Sequence, residues 1–122
     1  ILNITPFVSK AQLKHLFTKK TNSYLQTDLS GNPITDTKFE VNQFDIYFDK
    51  QNDTGYILYT FGNNRKIKVP LKEMYTGMAK GITIYYFQSS DNKYKFSVSA
   101  EEEGLAEVNY STKILTIYLN KN

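Results

Sequence analysis

The sequence contains no cysteine. That excludes disulfides, thiolate metal sites and cysteine nucleophiles, and leaves the compartment open. There is no tryptophan, and His15 is the only histidine. No H-x-x-x-H pair, acidic calcium loop, P-loop, dinucleotide fingerprint or G-x-S-x-G elbow is present. The expectation is therefore no catalytic residue, no metal ligand, no cofactor and no enzyme activity. Arg65 is the only arginine. Phosphate and base readout favour the guanidinium fork, so a mild net charge of +3 carried by lysines argues against nucleic acid as first partner. No apolar run approaches the roughly 18 residues of a membrane span. The chain opens without Met and without a recognisable leader, as a mature secreted form, a trimmed chain or an excised domain would.

What is present is aromatic. Ten tyrosines and eight phenylalanines stand in 122 residues, a length that suits one domain, 1–122, with its own core. The stretch 38–61 organises the rest. Phe44, Ile46 and Phe48 alternate with Asp45 and Tyr47, the period of a strand with one apolar face. Val41 has the wrong parity to share that face, which predicts a β-bulge near Asn42-Gln43. Residues 56–61 are apolar or aromatic on both parities, as in a central covered strand. Between the two, Asn52, Asp53 and Gly55 predict a hairpin connection.

Upstream, Ser9 and Gln12 have capping-box spacing, with Val8 and Leu13 as a hydrophobic staple. Leu13, Leu16 and Phe17 follow at i, i+3, i+4, which predicts a helix over about 10–20. His15 would lie on its exposed side. Residues 21–36 are ambiguous, with a strand beginning at Tyr24-Leu25 and a turn at Ser30-Gly31-Asn32-Pro33. Downstream, 65–69 alternates as a half-exposed strand that Pro70 ends or confines to an edge. A helical turn is expected within 71–78, then strands over 82–87, 94–100, 105–110 and 114–119.

The fold class is mainly β, or α+β at the margin. It is read as an antiparallel sandwich, small barrel or curved sheet of seven to eight strands carrying one N-terminal helix. Sorting the strands by parity gathers Ile82, Ile84, Tyr86, Leu115, Ile117 and Leu119 with the core. The opposite face collects Tyr47, Tyr56, Tyr85, Phe87 and Tyr118. These five are the candidate binding residues, because a phenol offers a rigid face and a polar tip. The expected function is a non-enzymatic binding or assembly domain. It would belong to a surface, secreted, phage or viral structural protein, in an extracellular, cell-surface or virion setting. A protein or glycan partner would be met through this Tyr-rich face or a strand edge. The alternatives are a nucleic-acid binder using lysines and tyrosines, and a small barrel holding an apolar ligand. The residues do not decide the oligomeric state.

Overall fold

The computed structural model describes residues 13–34 and 40–121. Among them nine strands form one antiparallel sheet. They are β1 (Lys14–Lys20), β2 (Ser23–Asp28), β3 (Val41–Asp49), β4 (Thr54–Phe61), β5 (Lys66–Ala79), β6 (Ile82–Ser89), β7 (Tyr94–Val98), β8 (Leu105–Asn109) and β9 (Ile114–Leu119). The spatial order is β1-β3-β4-β5-β6-β7-β8-β9-β2. The mainly β class is as expected, and the sheet curls into a half-barrel.

Two places turn the sheet. At the first, the chain passes from β1 to β2 through Thr21 and Asn22. The Thr21 amide donates to Asn42 O on the β3 side, and the Asn22 amide donates to Leu119 O on the β9 side. One N-terminal segment thus pairs with both edges of the β3–β9 meander. The expected bulge lies at this corner, where the β3–β4 register shifts between Val41 and Gln43. At the second place β5 pairs with β4 up to Leu71 and with β6 from Leu71 onward, with a register shift between Leu71 and Glu73. Each half of β5 therefore lacks a ladder on one side, a position that tolerates Pro70 within the strand.

The folded sheet brings its flanks face to face over an aromatic core. Phe44, Phe48, Phe87, Phe96, Ile46 and Ile57 are its fully buried residues, with Leu71 beside them. Phe17 on β1 meets Phe87 on β6 edge-on at 6.4 Å, and Phe44 on β3 meets Tyr118 on β9 at 4.7 Å. Edge-to-face contacts of this kind are a favoured geometry for packed aromatic rings.

Several expectations are corrected. The helix over 10–20 is absent where it is described: 14–20 is strand β1, and 10–12 lie outside the described residues, as do Ser9 and Gln12. The helical spacing of Leu16 and Phe17 has another cause. The β1–β3 register shifts between His15 and Phe17, so Leu16 is the extra residue of a bulge. Consecutive side chains can then both reach the core, Phe17 buried and Leu16 half-buried against it. The helical turn within 71–78 is instead the second half of β5. The strand count is nine rather than seven or eight.

Candidate functional site

The five sequence candidates do not share a face. Tyr47 and Tyr56 pair across β3 and β4 on the outer surface, opposite in parity to buried Ile46 and Ile57. Tyr85, Phe87 and Tyr118 point inward. Phe87 is fully buried, and Tyr85 and Tyr118 pack on the core. The aliphatics assigned to the core, Ile84 and Ile117 among them, lie on the outer side of β6 and β9. The physical reason is that both strands are apolar on both parities. Hydrophobicity alone cannot choose their inner face, and pairing chose it: Phe87 stands opposite Met74 and Phe96, and Thr116 opposite buried Glu107.

On the outer surface, Tyr47 and Tyr56 stack with centroids 4.9 Å apart and planes 29° from parallel. His15 on β1 extends the row, 4.8 Å from Tyr47. Lys68 on β5 closes its other end, with Nζ 4.2 Å from the Tyr56 centroid. Four neighbouring strands each supply one member, an arrangement set by cross-strand pairing.

A polar cluster borders the row. The Thr18 hydroxyl donates to Asp45 Oδ1 at 2.6 Å, and Gln43 Nε2 donates to Asp45 Oδ2 at 2.9 Å. His15 Nε2 lies 3.1 Å from Asp45 Oδ1 and 2.8 Å from Thr18 Oγ1. With the Thr18 proton committed to Asp45, His15 carries its own proton on Nε2, shared between the two oxygens. Burial raises the Asp45 pKa, but hydrogen bonds from Thr18, Gln43 and His15, with the attraction of the imidazole, hold it below its ordinary value. Burial, then the neighbouring Asp45 and Tyr56, keep the Tyr47 phenol protonated to higher pH. Thr18 and Asp45 meet the same imidazole nitrogen. In the arrangement that activates a hydroxyl, the hydroxyl meets one nitrogen while the carboxylate holds the other, and here both meet Nε2. The sequence reading placed His15 on an exposed helical face; it lies on a strand, beside Asp45.

A second outer patch occupies the other half of β5. Tyr75 and Tyr86 stack at 5.1 Å and 21°, and Lys95 Nζ stands 5.5 and 4.9 Å from their centroids. A hydrogen bond with Tyr75 raises the Lys95 pKa. Gly77 makes room for the Tyr86 ring, which a Cβ there would approach to 3.2 Å. Sequence reading missed this patch, because the stretch holding Tyr75 was expected to be helical.

Three further basic side chains have local partners. Lys19 donates to Ser99 O and Glu102 O, fastening the β7–β8 loop to β1. Lys66 donates to Thr60 Oγ1, and Arg65 lies over Phe61 at 4.4 Å. Among the described residues no group of three His, Asp or Glu side chains has metal-ligand geometry, and no helix is long and apolar enough to cross a membrane.

Inside, at an open end of the half-barrel, a cavity of about 290 Å³ is lined by aromatic and aliphatic side chains and by Glu107 and Asn109 on β8. The Tyr59 phenol donates to Glu107 Oε1 at 2.5 Å. Burial pushes the Glu107 carboxyl above its ordinary pKa, opposed by the Tyr59 hydrogen bond. The signal missed in the sequence was Glu107 itself, whose parity matches that of buried Leu105 two residues earlier.

No family model matches the chain, and neither curated proteins nor solved structures yield a significant match to it.

Proposed function

We propose that this domain is a non-catalytic binding module that holds a glycan on the outer platform of Tyr47 and Tyr56. The observation that carries the reading is the stacked pair itself, bracketed by His15 and Lys68 and bordered by the Asp45 cluster. A pyranose ring offers an apolar C–H face and a rim of hydroxyls. Tyrosine faces meet the first, and Asp45, Gln43, Thr18 and His15 are placed to meet the second. The stack is preorganised by backbone pairing, so less ordering entropy opposes binding. An extracellular, cell-surface or virion setting is part of this proposal.

The two alternatives have less support. A strand of nucleic acid needs a continuous cationic track, yet Lys19, Lys66 and Arg65 are engaged with loop carbonyls, Thr60 and Phe61. Over most of the interior an apolar ligand would compete with Phe44, Phe48, Phe87 and Phe96, and the cavity left at the open end carries the Glu107 carboxyl, which does not suit a purely apolar ligand.

Glycan-array screening followed by calorimetry tests the reading. The wild-type chain should bind a defined oligosaccharide. Tyr47→Ala and Tyr56→Ala should each weaken it by about tenfold or more, on the scale of a lost aromatic contact. Tyr75→Ala, on the other patch, should leave it unchanged. Binding that survives the double variant Tyr47→Ala/Tyr56→Ala, or no glycan bound at all, removes the proposal.

A further inference from the structure

The cavity beside Glu107 combines three features that together select a ligand. First, it holds a carboxyl with no ion-pair partner among the described residues. Glu107 is buried, its hydrogen-bond partner is the Tyr59 phenol, and among the described residues no Lys, Arg or His forms an ion pair with it. A buried carboxylate without a counter-ion is costly, and a cationic ligand would relieve that cost. Second, aromatic rings contribute to its walls beside Val41, Ile67, Val69 and Asn109. Tyr59, Phe61, Tyr94 and Tyr118 all line it, and ring quadrupoles attract a cation where a neutral group gains little. Third, it is open and of suitable size. Ile67 at the rim is 40% exposed, and about 290 Å³ compares with about 30 Å³ for one water molecule in the liquid.

We propose that this cavity binds an alkylated ammonium group, with Glu107 as counter-ion and Tyr59, Phe61, Tyr94 and Tyr118 as aromatic walls. The group belongs either to a small free molecule such as choline or to a methylated lysine of a polypeptide. The site lies inside the half-barrel, on the opposite side of β4 from the Tyr56 platform, so it stands or falls independently of glycan binding there. A purely internal role for Glu107, accepting the Tyr59 hydrogen bond, differs in what it predicts: Glu107→Gln keeps an acceptor for that phenol but removes the charge.

The test is an amide-resolved NMR titration of the full chain at constant ionic strength. Three probes are used: choline, a trimethyllysine peptide, and the neutral carbon isostere of choline. Choline or the peptide should shift amides on β4, β7, β8 and β9, and which of them binds tighter identifies the source. The isostere should bind about tenfold more weakly or worse, the range expected when a cation–π and charge interaction is deleted. Glu107→Gln should weaken the cation similarly while the melting temperature does not fall. Phe61→Leu at the half-buried rim should weaken it severalfold and serves if the Gln variant folds poorly. Tyr47→Ala and Tyr56→Ala should change nothing. Equal binding of choline and its isostere overturns the proposal, as does undiminished cation binding by the Gln and Leu variants, or failure of both cations to bind.

Discussion

Tyr59 on β4 donates a hydrogen bond to Glu107 on β8 across the interior of the half-barrel, at 2.5 Å. It is a polar contact that ties the two flanks through their core, and both partners are buried. Tyr59→Phe deletes the donor and leaves the carboxyl buried without it. A loss of about 1–3 kcal/mol is expected, the cost of an unsatisfied buried polar group. Urea unfolding of the two proteins measures it. An unchanged midpoint would show that the contact contributes nothing net.

Asp45 and Glu107 give opposite pH signatures. The folded-state pKa of Asp45 lies below its ordinary 3.8, so its contribution is present above that value and lost as pH falls through the folded pKa. The folded-state pKa of Glu107 lies above its ordinary 4.5, so its contribution is complete below 4.5 and lost as pH rises through the folded pKa. Melting temperatures across pH should show Asp45→Asn flattening the acid limb. Glu107→Gln should flatten a decline that begins above 4.5. If neither substitution alters the profile, these two groups do not govern it.

Gly55 opens β4 where that strand passes Phe48. A Cβ at position 55 would lie 2.2 Å from Tyr47 O and 2.7 Å from the Phe48 Cα. Backbone atoms cannot step aside, so Gly55→Ala should destabilise by about 3 kcal/mol or more, at the upper end for overpacking. Gly62→Ala, whose nearest atom would be 3.8 Å away, is the matched control and should be close to neutral. Thermal denaturation of the two variants gives the comparison.

Phe17 on β1 and Leu25 on β2 stand at opposite ends of the burial range. Phe17 is buried and Leu25 is 56% exposed. Phe17→Ala should cost about 3–5 kcal/mol as a core truncation, and Leu25→Ala should stay within about 0.5 kcal/mol, as surface changes do. Similar losses at both sites would show that the outer side of β2 is covered.

The β5–β6 hairpin turns through Lys80 and Gly81, both at positive φ, 53° and 80°. Two consecutive left-handed residues mark a turn that favours Asn-Gly. Lys80→Asn should therefore stabilise by a few tenths of a kcal/mol, read as a higher urea midpoint. A lower midpoint would mean the lysine has a further role there.

The legible and illegible parts of this fold divide along physical lines. The β3–β4 hairpin was readable because Phe44, Ile46 and Phe48 alternate with polar residues and a turn sequence follows. The bulge near Asn42-Gln43 was readable because Val41 breaks that alternation. β1 was misread because its bulge lets consecutive Leu16 and Phe17 both reach the core, and with Leu13 their spacing also suits a helix. In the candidate site, Tyr47 and Tyr56 were found together because they sit on strands of clear parity. Tyr85, Phe87 and Tyr118 were assigned to the wrong side because β6 and β9 carry apolar side chains on both.

By itself the sequence determined an all-antiparallel, cysteine-free aromatic sheet, since residue type and period act locally along each strand. Only the tertiary structure decided which side of β6 and β9 turns inward, that His15 meets Tyr47, and that Glu107 meets Tyr59. Those outcomes depend on the register between strands and on where the sheet bends at Thr21 and at Leu71. Register and bending are fixed by contacts between residues far apart in the chain, and no local pattern encodes them.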